Sequence, residues 1–232
     1  MSLFFNWLVA FSLLMNGAIK IKPQSKMRLK VKEPSDIAYT KDKNYLVVSD
    51  GGTLLKLDIS GKKILAAKQT GIDFEGVLEF DDLIYVSDET SRKIMLYDAK
   101  TLEFIRSYQL QLQRASNSGF ESIAYNSKKD RFILVTEKNP ITIQEYSKEF
   151  VLQGEITFTS VRDISAASFY NGSLFLLSDE DHLLMKLSEN YKIEKTWDIN
   201  ILNPEGFCFD ENNNLIVISD DLEMLYNFGK IE

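Results

Sequence analysis

The 232-residue sequence contains only one histidine, one cysteine and four prolines. With His182 and Cys208 as the sole residues of their kinds, a zinc site of cysteine and histidine ligands is excluded. A single cysteine forms no internal disulfide, and no glycine-rich phosphate loop or dinucleotide fingerprint occurs. We interpret His182 as a surface turn residue and Cys208 as a packed thiol. Carboxylates remain as the main candidates for chemistry.

The chain also has fewer basic residues than acidic ones. The chain has 27 Lys and Arg against 34 Asp and Glu, for a formal net charge of −7. Its basic residues are scattered, with short clusters only at 26–32 and 128–131. Nucleic acid binding requires a broad basic surface that neutralises phosphates. We therefore predict no nucleic acid partner.

One sequence pattern occurs five times along the chain. Each copy has a short apolar run, a polar turn, a β-rich run, and then Ser or Thr followed by Asp or Glu. The copies begin near Ser35, Glu75, Glu121, Ser165 and Glu205, at spacings of 40, 46, 44 and 40 residues. All-strand repeats of this period are typical of propeller blades, which bury their faces by packing on one another.

The sequence therefore predicts an all-β fold, a β-propeller of four-stranded antiparallel blades. Five blades are expected, with six as the alternative. The fifth repeat ends before a fourth strand, whereas the alternating segment 26–32 precedes the first repeat and has no blade of its own. We expect this N-terminal segment to pair antiparallel with 222–226 and close the ring, which removes exposed strand edges.

The N-terminal segment is apolar. Residues 1–18 carry no charged side chain, a length that suits a secretory signal or a membrane anchor. We assign 1–25 to a signal peptide or anchor plus a short linker, and 26–232 to the propeller domain. This assignment predicts a cell-envelope location, periplasmic or anchored and facing outward, with the N-terminal segment in contact with the membrane. A start site assigned to the wrong codon is the alternative.

Carboxylates recur at two positions of the repeat. Inner strands should start, and second strands should end, at the same face of the disc. Glu75, Glu121 and Glu205 begin inner strands, and a wider ring of acids at the ends of second strands includes Asp50, Asp88, Glu89, Glu137, Asp179 and Asp220. The predicted metal ligands at this channel mouth are Glu75, Glu121, Glu205, Asp88, Glu137 and Asp220. Crowded carboxylates raise one another's pKa or bind a cation, and ligands that are all oxygen favour Ca²⁺ or Mg²⁺.

A structural role is the alternative for these acids. Asp and Glu after a strand commonly accept hydrogen bonds from backbone N–H groups of a turn. The side chains that line the mouth of the channel would distinguish the metal-binding role from the structural role. The mouth is either open and lined by the three glutamates, or plugged by the aromatic rings of Phe74, Phe120 and Phe207.

The repeated Glu-Gly/Ser starts, the Ser-Asp endings and the apolar N-terminus together resemble the SdiA-regulated, YjiK-like bacterial propellers. More distantly, the pattern is similar to esterase-like phytases and strictosidine synthase-like propellers. The resemblance implies an envelope-associated propeller with Ca²⁺ at the channel. Members of the family have about six blades, so five repeats would be a departure. Only Glu75, Glu121 and Glu205 match the metal-binding glutamate position of the calcium-dependent hydrolase propellers.

Two function classes remain open from the sequence. The first is a monomeric binding module that presents one face to an envelope protein, a peptide or a glycan, with a divalent cation at the channel mouth. The alternative is a Ca²⁺-dependent lactonase, esterase or phosphoesterase that activates water at that cation. The binding module is favoured, because phosphoester chemistry needs clustered cationic groups that the sequence does not show.

Overall fold

The computed structural model describes residues 17–110 and 119–231, which form strands, turns and bends. Most of the apolar segment 1–18, predicted to be a signal or anchor, lies outside these ranges. Within the described part of the chain, no helix is long and apolar enough to span a membrane.

The described strands group into five sheets, so the predicted five-bladed propeller is confirmed and the six-bladed alternative is wrong. Two strands precede the first repeat, β1 (Ile19–Ile21) and β2 (Ser25–Arg28). The first blade comprises β3 (Pro34–Tyr39), β4 (Tyr45–Ser49), β5 (Thr53–Leu57) and β6 (Ile64–Gln69). The second comprises β7 (Phe74–Phe80), β8 (Leu83–Asp88), β9 (Lys93–Asp98) and β10 (Phe104–Gln109).

The remaining blades follow the same order from the channel outward. The third comprises β11 (Ser122–Asn126), β12 (Arg131–Val135), β13 (Thr142–Tyr146) and β14 (Leu152–Thr157). The fourth comprises β15 (Ala166–Tyr170), β16 (Ser173–Ser178), β17 (Leu183–Leu187) and β18 (Ile193–Ile199). The fifth comprises β19 (Pro204–Phe209), β20 (Asn214–Ser219) and β21 (Met224–Lys230).

The N-terminal strand closes the ring as predicted. Strand β2 pairs antiparallel with β21, with Lys26 opposite Tyr226 and Met27 opposite Leu225. The strand is shorter than the expected 26–32, because beyond Arg28 the chain turns into the core. There Leu29 and Val31 are buried between the fifth and first blades. The two chain ends are thereby held in one blade.

The linker ahead of β2 also contributes a strand. Strand β1 lies beside β18 as a parallel fifth strand of the fourth blade, with Ile19 opposite Trp197. The sequence predicts only a short linker for these residues. A three-residue strand carries too little periodicity to be recognised from sequence.

The core lies between the blades rather than at the centre of the disc. The second strand of each blade is sandwiched between neighbours and is almost entirely buried, as the apolar runs predict. Between the second and third blades, Phe132 packs on Tyr85 and Phe150 with ring centroids 4.6 and 4.8 Å away. Each such side chain contributes about 1.5–3 kcal/mol by burial.

Neighbouring inner strands come into close contact one residue past the repeat starts. At this level lie Asp36, Gly76, Ser122, Ala166 and Gly206, which we call the neck of the channel. A Cβ on Gly76 would lie 2.8 Å from Ser122 Cα, and one on Gly206 would lie 2.6 Å from Asp36 Cα. Glycine is therefore required at both positions by the adjacent backbone.

Candidate functional site

The three predicted glutamates sit where the inner strands begin. In the second and fifth blades, Phe74 and Pro204 pair with the adjacent strand, and the register then skips one residue, Glu75 or Glu205. Each glutamate is thus the extra residue of a β-bulge, a feature that redirects a side chain out of the regular ladder. In the third blade, Glu121 immediately precedes β11 and donates its backbone N–H to Val135 O at 3.0 Å.

The aromatic residues beside the glutamates do not plug the mouth. Phe74, Phe120 and Phe207 are each at most 2% exposed and pack in three different clusters between blades. Of the two arrangements considered from sequence, the structure therefore shows glutamates at the mouth and phenylalanines in the core.

Burial and mutual repulsion raise the pKa values of all three glutamates. For Glu75 the main cause is desolvation, followed by the charges of Glu121 and Asp50. For Glu121 desolvation is again the largest cause, followed by the charges of neighbouring glutamates that include Glu205. Desolvation, then the nearby charge of Asp179, raises the pKa of Glu205 from 4.5 to about 8.

These interactions place one group of carboxylates at a single end of the channel. We call it the acidic mouth, and its members are Glu75, Glu121, Glu205, Asp50, Asp73, Glu89, Glu137, Asp179 and Asp220. Of the six predicted ligands, five lie in this group. The sixth, Asp88, does not.

Asp88 has a structural role instead. Its carboxylate is buried and accepts hydrogen bonds from the backbone N–H of Ile72 at 3.1 Å and of Ser91 at 2.9 Å. These contacts hold the loop before β7 and the turn after β8. Asp88 therefore has the turn-forming role that was the alternative for all the acids. Its carboxylate oxygens face the backbone rather than the channel.

The two serines at the glutamate position each donate a side-chain hydrogen bond. Ser35 donates to Asp50 Oδ1 at 2.5 Å, and Ser165 donates to Pro204 O at 2.9 Å. Among the described residues, the side chains of Glu75 and Glu205 form no hydrogen bond of this kind, and their pKa values are set by burial and neighbouring charges. The glutamates therefore differ in role from the serines that replace them.

The tightest carboxylate group is one that sequence reasoning did not assemble. Carboxylate oxygens of Asp73, Glu75 and Glu89 all lie within 4.8 Å of one another, and all three residues are half-buried. Glu89 also accepts the Gly119 N–H at 2.9 Å. Asp73 was missed, although its position two residues before the repeat start also holds an acid in the first and fourth repeats, Glu33 and Asp163.

Of the members of the acidic mouth, one forms an ion pair among the described residues. Lys138 forms an ion pair with Glu137, and Arg162 pairs with Asp181 at 2.7 Å. Among residues 17–110 and 119–231, no ion pair involves Glu75, Glu121 or Glu205. The excess negative charge is therefore held by protons or is available to a cation.

The only histidine lies beside the acidic mouth. His182 and Asp179 interact electrostatically, and the turn between them is closed by the His182 N–H donating to Asp179 O at 3.1 Å. Asp179 Oδ1 and His182 Nδ1 are both buried without a hydrogen-bond partner among the described residues. The sequence predicts only a surface turn for His182, because the position of its partner Asp179 beside Glu205 depends on the fold.

Chemically, the acidic mouth offers a set of oxygen ligands and at least one carboxylic acid that is protonated near neutral pH. Hard divalent cations such as Ca²⁺ take six to eight oxygen ligands in flexible geometries. The Asp73, Glu75 and Glu89 oxygens could supply the carboxylate part of such a set.

The profile of the SdiA-regulated family matches residues 15–229, and the chain belongs to that family. The fold is similar to a glutaminyl cyclase from Myxococcus xanthus, with a TM-score of 0.75, 9% identity, and coverage of 90% of this chain and 97% of that one. The fold is also similar to a Bacteroides caccae protein of unknown function, with a TM-score of 0.56 and 15% identity, and this match covers 82% of this chain and 72% of that one. A third similar structure is virginiamycin B lyase from Staphylococcus aureus, with a TM-score of 0.52, 15% identity, and coverage of 85% of this chain and 66% of that one. At these identities the structures share the fold alone.

Proposed function

We propose that this member of the SdiA-regulated family is an exported or envelope-associated binding module whose acidic mouth holds a divalent cation, with Ca²⁺ as the best fit. The observation that carries the proposal is the group of inward-facing carboxylates without a compensating ion pair at Glu75, Glu121 or Glu205. Burying like charges is costly unless they are protonated or neutralised by a metal. The apolar, uncharged segment 1–18 supports export.

The surroundings of the mouth favour a protein, peptide or glycan partner. Apolar side chains stand exposed on loops that carry the acidic residues, with exposed fractions of 67% for Ile72, 50% for Leu202 and 46% for Leu222. Exposed apolar residues around a polar centre are typical of interaction surfaces. The excess of carboxylates at the same face would repel a phosphate backbone, so nucleic acid is not the proposed partner.

A hydrolase acting at the same mouth is the second candidate. It is favoured by Glu205, whose pKa of about 8 leaves the carboxyl group protonated at neutral pH and able to act as a general acid. In this scheme Asp73, Glu75 and Glu89 would hold the cation that activates water, while Glu205, outside that ligand set, would protonate the leaving group. The binding module remains the first proposal because it requires only the carboxylate arrangement.

Thermal unfolding with Ca²⁺ or EDTA tests the cation. At ten times its dissociation constant, Ca²⁺ should stabilise the fold by about 1.4 kcal/mol, a rise in Tm of roughly 3–6 °C. Joint replacement of Glu75, Glu121 and Glu205 by Gln should abolish the shift and leave the protein folded. Glu194→Gln, an exposed change on β18, is the matched control and should keep the shift. Identical wild-type melts in Ca²⁺ and EDTA would refute the cation.

A further inference from the structure

A cavity lies in the central channel, on the side of the neck away from the acidic mouth. It has a volume of about 170 Å³ and is lined by residues of all five inner strands. Its walls begin at Asp36 in the neck and end at the residues that close the inner strands on the opposite face. The proposed cation at the acidic mouth makes no use of this space.

The carboxylate of Asp36 lies at the neck end of this cavity. Asp36 is 2% exposed, and its Oδ2 accepts the Val77 N–H of the second blade at 2.9 Å. Its Oδ1 accepts the Ile37 N–H at 2.8 Å and lies 2.8 Å from where a Cβ on Gly206 of the fifth blade would be. The carboxylate thus spans from one neighbouring blade to the other, at the edge of the channel.

This buried carboxylate has no cationic partner. None of the described residues that line the cavity is a lysine, arginine or histidine. The buried thiol of Cys208, which also lines the cavity, interacts electrostatically with Asp36. An isolated buried carboxylate is costly to ionise, and an organic cation in the cavity would supply the missing charge.

Aromatic rings surround the open end of the cavity. The aromatic residues near this end of the lining are Tyr39, Tyr125, Phe169, Tyr170 and Phe209, whereas Phe207 borders the cavity next to the neck and packs in the core. Tyr170 and Phe209 stack across two blades with centroids 4.0 Å apart, and half-buried Glu79 adds a second carboxylate to the lining. Aromatic faces with a nearby carboxylate are the chemistry that recognises ammonium groups.

We propose that the channel cavity is a binding site for a small organic ammonium ion, with Asp36 as its counter-ion and the aromatic residues at the open end as its apolar surround. The volume limits the ligand, because an engineered cavity of about 150 Å³ holds benzene. The class is therefore a primary or substituted amine with a hydrocarbon part no larger than a small ring.

Cyclopentylammonium and its uncharged isostere cyclopentanol test the proposal by calorimetric titration of the full chain. The ammonium ion should bind at least roughly tenfold more tightly than the alcohol. Asp36→Asn, which keeps an acceptor for the Val77 N–H, should remove that difference. Ser168→Leu, which fills the cavity without changing Asp36, should weaken binding of both probes and serves if Asp36→Asn does not fold.

Three results would overturn the proposal. One is equal affinity of the wild type for the ammonium ion and the alcohol. Another is ammonium binding that survives both Asp36→Asn and Ser168→Leu in folded protein. The third is loss of ammonium binding in Glu205→Gln alone, which would locate the ion at the acidic mouth instead.

Discussion

Replacing Glu205 by Gln should stabilise the protein at alkaline pH. The folded-state pKa of Glu205 is raised from 4.5 to about 8 by burial and by neighbouring carboxylates, Asp179 first among them. Because the folded state holds the proton more tightly than the unfolded state, stability falls as the pH rises between these two values. Below pH 4.5 the carboxyl group is neutral in both states and costs nothing.

The size of the effect follows from the shift. At about 1.4 kcal/mol per pKa unit, the full shift corresponds to about 5 kcal/mol as an upper limit. Neighbouring carboxylates take up protons together with Glu205, so we expect about 2–3 kcal/mol for the single change. In a domain of this size that is a Tm increase of roughly 4–12 °C.

Thermal melts in EDTA from pH 5 to pH 9 measure this directly. The Tm difference between Glu205→Gln and wild type should be small at pH 5, grow towards pH 8 and then level off. Glu194→Gln, on the exposed side of β18, should follow the wild type throughout. Parallel pH profiles for Glu205→Gln and wild type would show that Glu205 is not the buried, repelled carboxylate described above.

Two further predictions concern the ring. A chain that starts at residue 32 lacks β2, Leu29 and Val31. Loss of the two buried side chains alone should lower the free energy of unfolding by about 3–6 kcal/mol. A chain that starts at residue 22 lacks the outer strand β1 but keeps β2, and its free energy of unfolding should fall far less. Equal melting temperatures of the two chains would contradict the closure. Gly206→Ala should destabilise by about 1–3 kcal/mol in chemical denaturation, because its Cβ would meet Asp36 Cα at 2.6 Å, while Gly154→Ala, with no atom within 4 Å, should be neutral. Similar denaturation midpoints for both glycine variants would argue against a crowded neck.

The repeats made the fold predictable because each blade repeats one pattern of apolar runs and turns. The N-terminal closure could also be predicted, since the fifth repeat lacks a strand and Lys26–Arg28 lies in a segment without a blade. Strand β1 could not, because its three residues are placed by pairing with β18 rather than by their own pattern.

The site was only partly predictable for a similar reason. Repeat alignment indicated Glu75, Glu121 and Glu205, because their position in each blade is equivalent. It could not separate Asp88, whose oxygens bond to backbone, from acids that face the channel. Nor could it reveal the neck, where Asp36 contacts neighbouring blades, because contacts across the ring depend on how tightly the blades close.

A calcium titration that monitors both heat and released protons at pH 7 tests the proposed cation site most directly. Glu205, with its pKa of about 8, holds a proton at pH 7 that a cation bound by its carboxylate must displace, and the pKa values of Glu75 and Glu121 are raised in the same direction by burial and neighbouring carboxylates. We expect saturable Ca²⁺ binding with release of about one proton or more per ion, and loss of both signals when the three glutamates are replaced by Gln. Absence of Ca²⁺ binding, or binding that persists unchanged in the triple Gln variant, would contradict the proposed cation site.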